Sequence, residues 1–450
     1  MASSIPTIVF TCLAVLMSIL RKYKPFRDWA SSLLETSLSD YFLPSKQAIV
    51  ATPEFKVGKP SNRFKGTKGI TLYELTQSLT QLREYFARAQ RQNGVIFNRA
   101  NELNEESLEQ LREISYFTKI QKVNKSIEEN NKVLEAVIKH VLDKLVKCNI
   151  ADSEDETLPD QLKTICADIG YHLNENNELS FTGDAVILSN SKSNQGSVNE
   201  AIGHLCRDWS ANFECERQPI NDFVHERITE RVNISNESKT LVVVPGAGVG
   251  QLPFFIAKSF PHCQVDSVEW SSLMYIFNEF ALGHGQDVRI RPFAQHYSGS
   301  LDTQSQIRSF EVPLSKIKRP ANLASYWGDF RQYTTNTEHY DQIIVCTAFF
   351  IDTAENVFEY LEAIEQLSAH CKTLHWINVG PLKYGTRPLV QFTADELKRL
   401  RKVRGWKDLV ETRTTDYREG LNGYLTNTES LYQGYYGLLK FHTVFDKTSN

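Results

Sequence analysis

The sequence predicts an α/β protein in which a mostly parallel sheet follows a helical N-terminal region. Three observations support this fold class. A short apolar run, Leu241 to Val244, leads into a glycine-rich stretch at Gly246, Gly248 and Gly250. Strand-like and helix-like segments then alternate towards the C-terminus, which is typical of parallel sheets. Earlier in the chain, between residues 72 and 147, apolar positions recur every three or four residues, as in amphipathic helices.

Length and composition limit the function classes. A chain of 450 residues suggests two or three domain-sized units, and 41% hydrophobic residues allow a sizeable core. The formal net charge of −4 provides no general basic field, so nucleic acid is not an expected partner. The eight cysteines are widely spaced, without a C-x-x-C pair, so neither a zinc site nor a disulfide framework is indicated. We expect reduced thiols in an intracellular enzyme that holds no metal.

The N-terminus contains the one candidate membrane segment. Residues 5 to 20 are mostly apolar and precede Arg21, Lys22 and Lys24. This run is short for a span, which needs about 20 residues, and no basic residue precedes it as in a secretory signal. A hydrophobic anchor within residues 1–24 stays open, and the basic flank favours a cytosolic body in either case. The expected location is cytoplasmic, with a nuclear location or a membrane tether as alternatives.

Three further segments follow this stretch: a linker at 25–68, a helical region at 69–196 and the sheet domain at 197–446. Helical patterns cover Leu72 to Asn93 and Ser107 to Lys147, and an acidic loop is expected from Asp152 to Asp160. A further helix over Ser197 to Val232 lies just before the first strand. We expect an ordinary amphipathic helix with surface ion pairs, and a helix that closes over the glycine stretch is the alternative.

The glycine stretch predicts a nucleotide-type site. It separates a strand from a helix that starts near Leu252, and glycine lets the backbone approach a ligand closely. Glu269 ends the next predicted strand, where a carboxylate accepts hydrogen bonds from ribose hydroxyls. Dinucleotide-binding folds use G-x-G-x-x-G, whereas this chain has G-x-G-x-G. The shorter spacing resembles class I methyltransferases, whose ligand is S-adenosylmethionine. The alternatives are a tight turn without a ligand and an NAD-dependent dehydrogenase.

The remaining elements complete the alternation of strands and helices. Strands are predicted at Asn322–Trp327 (or a loop), Tyr340–Asp352, Thr373–Asn378, Leu409–Thr412 and Leu438–Val444, and helices from about Thr353 to Ala369 and from Thr393 to Val403. Because parallel strands present their C-terminal ends at one edge of the sheet, the polar residues at these ends are expected to meet there.

Several strings resemble the carnosine N-methyltransferase family, also called N2227-like. They are RDWS with ER at Arg207 to Arg217, VPGAGVGQL at Val244 to Leu252, EWS at Glu269 to Ser271, GDF at Gly328 to Phe330, FFIDTAEN at Phe349 to Asn356, WINVGPLKY at Trp376 to Tyr384, and YLTNTESLYQGYY near the C-terminus. The likeness covers roughly residues 70 to 445. It implies a Rossmann-like class I methyltransferase sheet with an added helical domain, which methylates an imidazole nitrogen of carnosine with S-adenosylmethionine.

The resemblance also implies roles for single residues. Cofactor-binding positions would be His204, Arg207, Gly246, Gly248, Gly250, Glu269, Asp329, Phe330 and Ala348. Among these, Arg207 would meet the cofactor carboxylate, Glu269 the ribose, and Asp329 with Phe330 the adenine. Asp352, Tyr424 and Tyr436 match positions that hold the dipeptide.

The chain departs from the family pattern on both sides of the site, and the cofactor side is retained better than the substrate side. The family usually reads GPLLYH where this chain reads GPLKYG, so Gly385 replaces a substrate-contacting histidine. TCFF becomes TAFF, which puts Ala348 in place of cysteine, and QFVRDW becomes HLCRDW, which puts His204 in place of glutamine. Gln251 replaces the arginine after the glycine stretch.

Methyl transfer to an imidazole requires orientation more than a strong base. A neutral imidazole has a free lone pair near pH 7, and a carboxylate that accepts the other ring N–H fixes the tautomer and stabilises the developing charge. Asp352 is our candidate for this catalytic role. The alternative for Asp352 is the N-cap of the following helix. Tyr424 and Tyr436 are predicted to line the pocket, with packing in a C-terminal strand as the alternative.

Three function classes remain open from the sequence. The first is an N-methyltransferase for a histidine-containing dipeptide, and the second is the same fold acting on another small molecule or on a protein side chain. The third is a module that binds the cofactor without turnover. The oligomeric state stays open, a homo-oligomer included.

Overall fold

A computed structural model describes residues 26, 50–53, 55–58, 61–65, 71–150, 158–182, 195–232, 234, 238–335, 338–385, 387–415 and 420–446. The apolar run at 5–20 and the acidic residues 151–157 lie outside these residues. No helix in the described ranges is long and apolar enough to cross a membrane. Within them, no group of three or more His, Cys, Asp or Glu residues is arranged for a metal ion. The seven cysteines that they contain are free thiols.

The described helices are α1 (Leu72–Ala100), α2 (Glu105–Glu113), α3 (Tyr116–Ile150), α4 (Leu158–Asp168), α5 (Gln195–Trp209), α6 (Glu214–Arg231), α7 (Gln251–Ser259), α8 (Ser272–Gly283), α9 (Thr303–Gln306), α10 (Val357–Gln366) and α11 (Ala394–Val403). The described strands are β1 (Val50–Ala51), β2 (Lys56–Val57), β3 (Tyr171–Leu173), β4 (Leu179–Phe181), β5 (Thr240–Pro245), β6 (Gln264–Glu269), β7 (Val288–Ile290), β8 (Phe310–Val312), β9 (Leu323–Trp327), β10 (Tyr340–Ala348), β11 (Cys371–Gly380), β12 (Trp406–Thr414), β13 (Asn422–Gly423), β14 (Tyr435–Tyr436) and β15 (Leu438–Phe445).

Seven of the described strands form the central sheet, in the order β12-β15-β11-β10-β5-β6-β9. The five from β11 to β9 are parallel, and β15 joins β11 and β12 in antiparallel pairing. The prediction of a mostly parallel sheet is therefore confirmed. All six residues of β5 are buried, as expected for a central strand that is covered on both faces. The order reverses direction on either side of β5, and ligands bind beside such a switch point.

The helical N-terminal region packs on this sheet domain. Buried side chains of α1 and α3 belong to the same apolar cluster as those of α8 and β5. The pattern from Ser107 to Lys147 was predicted as one helix, which is wrong, because the chain turns at Ser115 with a φ of 58°. The single helix predicted over Ser197 to Val232 is likewise two helices, separated by a 3-10 turn at Ala211–Phe213.

Part of the segment predicted as a linker packs against the outer edge of the sheet. Phe55 is fully buried and its ring stacks on Tyr275. The guanidinium of Arg63 pairs with the buried carboxylate of Asp266 at 3.2 Å. The Phe64 ring lies directly against Gly328. The described residues of segment 50–65 therefore support the turn after β9. The boundaries between the domains stay a prediction.

Two predictions near Asp352, the end of a strand and the N-cap of a helix, differ from the structure. β10 ends at Ala348 rather than at Asp352, because the chain reverses at Phe349 with a φ of 50°. Asp352 lies in a 3-10 turn, and the N-cap of α10 is Asn356, whose side chain accepts from Phe358 N–H. The N-cap alternative for Asp352 is therefore wrong. Thr393, the residue at which this helix is predicted to begin, is the N-cap of α11, and Glu396 completes a capping box.

A buried histidine pair makes the fold sensitive to acid. His375 on β11 and His442 on β15 bring Nδ1 and Nε2 to 3.0 Å, and burial lowers the pKa of His375 to about 4 and that of His442 to about 3. Their folded pKa values lie below the unfolded value, so stability falls as pH drops below about 6.5. We expect a loss of roughly 2 kcal/mol per histidine between pH 6.5 and 5. Urea unfolding at both pH values measures this loss. A double His→Gln variant whose free energy of unfolding falls as steeply with pH as that of the wild type would contradict the role of the histidine pair.

Candidate active site

The glycine loop joins β5 to α7 at the carboxyl edge of the sheet. Gly246, Gly248 and Gly250 all have positive φ, at 62°, 56° and 89°. A Cβ at Gly246 would clash with the ring of Phe350, and one at Gly250 would meet Asn278 Nδ2 at 2.6 Å. Only glycine fits both positions without strain. The loop can therefore pack closely against Phe350 and Asn278 where α7 begins. Gly250 is the N-cap of that helix and faces Asn278 rather than the cavity.

Glu269 lies at the end of β6 and points to the glycine loop. Its Oε2 accepts the N–H of Gly248 at 2.8 Å, and its Oε1 accepts the N–H of Ser271 at 2.7 Å. The side chain is buried, and burial raises its pKa to about 7 despite the backbone hydrogen bonds that oppose this shift. Each carboxylate oxygen accepts two hydrogen bonds, so both keep capacity for ligand hydroxyls.

Arg207 lies on the other side of the glycine loop, near the end of α5. Its Nε donates to Glu216 and its Nη1 to Asp208, both at 3.2 Å. The guanidinium lies 4.2 Å from the ring centroid of Tyr424. Its Nη2 is buried and has no hydrogen-bond partner among the residues that the structure describes. A buried donor without a partner costs free energy, so this nitrogen is suited to an anionic ligand group.

Two adjoining cavities lie between these residues. The larger, of about 620 Å³, contains Gly246, Gly248, Glu269, Asp329 and Phe330 in its lining. The smaller, of about 90 Å³, includes Arg207 and Ala348. His204 and Tyr424 contribute to both. The structure thus brings nine predicted site residues together, whereas Gly250, Asp352 and Tyr436 do not line either cavity.

The far end of the larger cavity is built around Phe330. Its ring is buried between Tyr333 and Phe350, with centroid distances of 6.1 and 5.9 Å. Asp329 pairs with Arg331, whose Nη2 lies 2.6 Å from Oδ2. Trp270 is 63% exposed and lines the mouth of the cavity. An aromatic, partly apolar end of this kind suits a planar base.

His204 connects the cofactor side to Tyr424. The His204 Nε2 and the Tyr424 Oη are 3.2 Å apart. Burial, and then the charge of Arg207, lowers the pKa of His204 to about 4. The ring is therefore neutral near pH 7, and it adds no second positive charge beside Arg207.

An aromatic wall continues from the cavities to the predicted substrate residues. Phe349 has a left-handed backbone conformation and lines both cavities. The centroid of its ring lies 4.8 Å from that of Tyr424 and 5.9 Å from that of Tyr436. A bulky residue with positive φ is rare away from functional sites. Beyond it, Asp352 is buried, and its Oδ2 accepts the N–H of Lys383 at 2.9 Å. Burial raises the pKa of Asp352. Tyr424 and Tyr436 are half-buried and do not belong to the core of the sheet.

Sequence reasoning missed Phe349, Trp270 and Glu216 as site residues. Phe349 and Trp270 directly follow the ends of two parallel strands, and this position could have identified them. Glu216 is buried and accepts from Arg207, from Leu425 N–H at 2.7 Å and from Thr426 N–H at 2.9 Å. It thereby joins the predicted cofactor arginine to the turn that follows Tyr424. The string ER in the family resemblance contains Glu216, but nothing in the sequence links it to a turn more than 200 positions away.

These features fit S-adenosylmethionine. The Arg207 Nη2 suits the amino-acid carboxylate, the two Glu269 oxygens suit the ribose hydroxyls, and the aromatic end suits adenine. A doubly wound sheet with this glycine loop and acidic strand end, and with one antiparallel strand, β15, inserted between β11 and β12, defines a class I methyltransferase. The protein is an S-adenosylmethionine-dependent enzyme of this class, which confirms the predicted fold, activity class and cofactor.

Comparison with known proteins specifies the family. The model of the carnosine N-methyltransferase family matches residues 185–447. The uncharacterized protein YMR209C of Saccharomyces cerevisiae is 46% identical over 99% of this chain and 100% of its own. The carnosine N-methyltransferase of Rattus norvegicus is 28% identical over 67% of this chain and 74% of its own. The magnesium protoporphyrin IX methyltransferase of Synechocystis with bound SAH is similar over 56% of this chain and 95% of its own, at 14% identity and a TM-score of 0.34. The chain belongs to the carnosine N-methyltransferase family.

The position of Glu216 gives a testable result. In Glu216→Gln one carboxylate oxygen becomes an NH₂ group, which cannot accept from the donors now bound to it. We expect the affinity for S-adenosylhomocysteine to fall about tenfold, because a hydrogen bond to a charged group contributes roughly 1.5–3 kcal/mol. Calorimetric titration measures the affinity. Glu214→Gln, two residues earlier and exposed, is the matched control. Equal affinities in the two variants would show that Glu216 does not position Arg207.

Proposed function

We propose that this enzyme transfers the methyl group of S-adenosylmethionine to an imidazole nitrogen of carnosine or a related histidine-containing dipeptide. The observation that carries the proposal is the buried carboxylate of Asp352, which lies on the turn after β10, three residues beyond Phe349. Lys383 connects this carboxylate to the aromatic wall of Phe349, Tyr424 and Tyr436, because its N–H donates to Asp352 and its Nζ to Tyr436. An apolar wall beside one buried acceptor suits a flat ring with a single N–H to donate. Membership of the family supports the same acceptor.

The proposed roles on the cofactor side follow from the contacts above. Arg207 holds the carboxylate, Glu269 the ribose, and Asp329 with Phe330 the adenine. Gly246 and Gly248 let the backbone lie close to the ligand, while Gly250 shapes the loop. His204 lines both cavities and Ala348 lines the smaller one. When bound, S-adenosylmethionine supplies an electrophilic methyl group on a positively charged sulfur.

The proposed chemistry uses the neutral acceptor. Asp352 accepts the N–H of one ring nitrogen, so the lone pair of the other nitrogen faces the methyl carbon. That nitrogen forms a bond to the methyl carbon while the carbon–sulfur bond breaks and the sulfur keeps the electron pair. The ring becomes an imidazolium, and the Asp352 carboxylate stabilises its charge. Because burial raises the pKa of Asp352, this carboxylate is also suited to accept the proton that the ring then releases.

Gly385 favours a second candidate, in which the acceptor is larger than a dipeptide. A Cβ at this position would meet nothing within 4 Å, and the family usually has histidine there. The open space next to Asp352, whose backbone carbonyl accepts the Gly385 N–H at 3.3 Å, would admit a histidine within a protein chain. The chemistry would be unchanged.

Both candidates are tested by methyl transfer to a defined panel. It contains carnosine, other histidine-containing dipeptides, dipeptides without histidine, and a protein extract, each with labelled S-adenosylmethionine. Label in the dipeptides that contain histidine, and in no others, supports the first candidate. Label in extract protein alone supports the second. Cofactor binding with no labelled product from any acceptor would leave the non-catalytic module.

A further inference from the structure

Lys383 lies beside the proposed acceptor site in a position that Asp352 fixes. The chain leaves β11 at Gly380, and three residues later the Lys383 N–H donates to Asp352 Oδ2 at 2.9 Å. The Gly385 N–H donates to the Asp352 carbonyl. This loop therefore bonds twice to the residue that is proposed to hold the imidazole, and its side chains project from a defined backbone.

The side chain of Lys383 reaches the aromatic wall. Its Nζ lies 3.2 Å from Tyr436 Oη and 5.3 Å from the centroid of the Tyr436 ring. That ring packs edge-on against Phe349, and it lies 6.3 Å from the Tyr424 ring. Because Phe349 and Tyr424 line both cavities, the ammonium group lies on the same wall as the acceptor.

This ammonium group forms no ion pair within the part of the chain that the structure describes. Among the residues that the structure describes, no carboxylate lies within 4.0 Å of Lys383 Nζ, whereas many other lysines and arginines have such a partner. The hydrogen bond to Tyr436 raises the pKa of Lys383, so the group stays charged. The usual family string GPLLYH has leucine here, and the positive charge is a feature of this chain.

We propose that Lys383, together with the Oη of Tyr436, binds the carboxylate of the acceptor. Because the Lys383 N–H bonds to the Asp352 carboxylate at 2.9 Å, the ammonium group lies no further from that carboxylate than this hydrogen bond plus the length of one lysine residue. This reach allows one acceptor to place its ring N–H on Asp352 and its carboxylate on Lys383. The preferred acceptors are then imidazole compounds with a carboxylate close to the ring. This inference rests on the proposed function.

Carnosine and its decarboxylated analogue β-alanylhistamine test the inference directly. We expect the wild-type enzyme to favour carnosine in kcat/KM by about tenfold or more, since a charge-assisted hydrogen bond contributes roughly 1.5–3 kcal/mol. Lys383→Met should remove this preference by raising the KM for carnosine. The KM for β-alanylhistamine and the affinity for S-adenosylhomocysteine should stay unchanged. Lys402→Met, an exposed lysine on α11, is the control.

The outcomes separate this inference from the proposed function. Equal turnover of both compounds by the wild type, or an equal effect of Lys383→Met on both, overturns the role of Lys383 and leaves imidazole methylation standing. If neither compound is methylated, carnosine and β-alanylhistamine are each titrated into the complex of the protein with S-adenosylhomocysteine. Binding that depends on the carboxylate and on Lys383 then supports the inference and rejects the function. Binding without this dependence, or no binding, rejects both.

Discussion

Replacing Glu269 with alanine is expected to lower the affinity for S-adenosylhomocysteine about 100-fold or more. The carboxylate is proposed to accept both ribose hydroxyls, and each hydrogen bond to a charged group contributes roughly 1.5–3 kcal/mol. Calorimetric titration measures the loss. Because alanine also frees the N–H groups of Gly248 and Ser271, Glu269→Gln is the second variant, and thermal unfolding shows whether each is folded.

The pH dependence provides the control for this prediction. Burial raises the pKa of Glu269 to about 7 in the free protein, whereas hydroxyl donors favour the ionised form. Ligand binding should therefore release a proton, and the affinity should be about tenfold lower at pH 6 than at pH 8. The profile should be flatter in Glu269→Gln. Wild-type affinity that does not change with pH, or Glu269→Gln binding as tightly as wild type, would contradict the ribose role.

Replacing Asp352 with asparagine is expected to lower kcat by about 100- to 1,000-fold while the cofactor affinity stays within twofold. Loss of one electrostatic contact to the transition state has effects of this size. Asparagine keeps an oxygen for the Lys383 N–H but offers the imidazole a weaker, uncharged partner. Steady-state kinetics with carnosine and titration with S-adenosylhomocysteine separate the two effects. A variant that retains more than a tenth of the wild-type kcat would show that another group orients the acceptor.

The parts of the fold that were predictable have local causes. Four apolar residues before the glycines had to form a buried strand, and the spacing of the three glycines distinguished the loop from a dinucleotide site. Glu269 at the end of the next strand followed from the rule that ligands lie at the carboxyl edge. Thr393 marked the start of α11 by itself, because a threonine just before a helical pattern is a local N-cap signal.

The parts that were missed depend on contacts between distant segments. The reversal at Phe349 separates Asp352 from the strand, and no residue in FFID indicates a positive φ. The break at Ser115 lies within a pattern that still has helical spacing. Glu216 becomes a site residue only when its carboxylate meets the turn at Leu425 and Thr426. The packing of Phe64 on Gly328 could not be read from a segment without clear periodicity.

The cofactor side of the site was easier to predict than the acceptor side, because the two sides lie on different kinds of structure. The predicted cofactor residues other than His204 and Arg207, which lie on α5, are at or near the ends of β5, β6, β9 and β10, where the sheet itself sets their positions. The proposed acceptor residues lie on turns and on the short strand β14, which the sheet constrains less. Lys383 and Gly385 show that the acceptor side of the site departs from the family pattern, whereas the cofactor side keeps Arg207, the three glycines and Glu269. Specificity is therefore best sought in the loops that follow β11 and β13.

The most direct test of methyl transfer to an imidazole uses S-adenosylmethionine with a ¹³C-labelled methyl group and carnosine as acceptor. Nuclear magnetic resonance identifies the atom that carries the label. The expected result is one labelled methyl on a ring nitrogen for each S-adenosylhomocysteine formed, with the rate strongly reduced in Asp352→Asn. A wild-type protein that binds the cofactor but labels no ring nitrogen of carnosine or another histidine-containing compound would contradict the account.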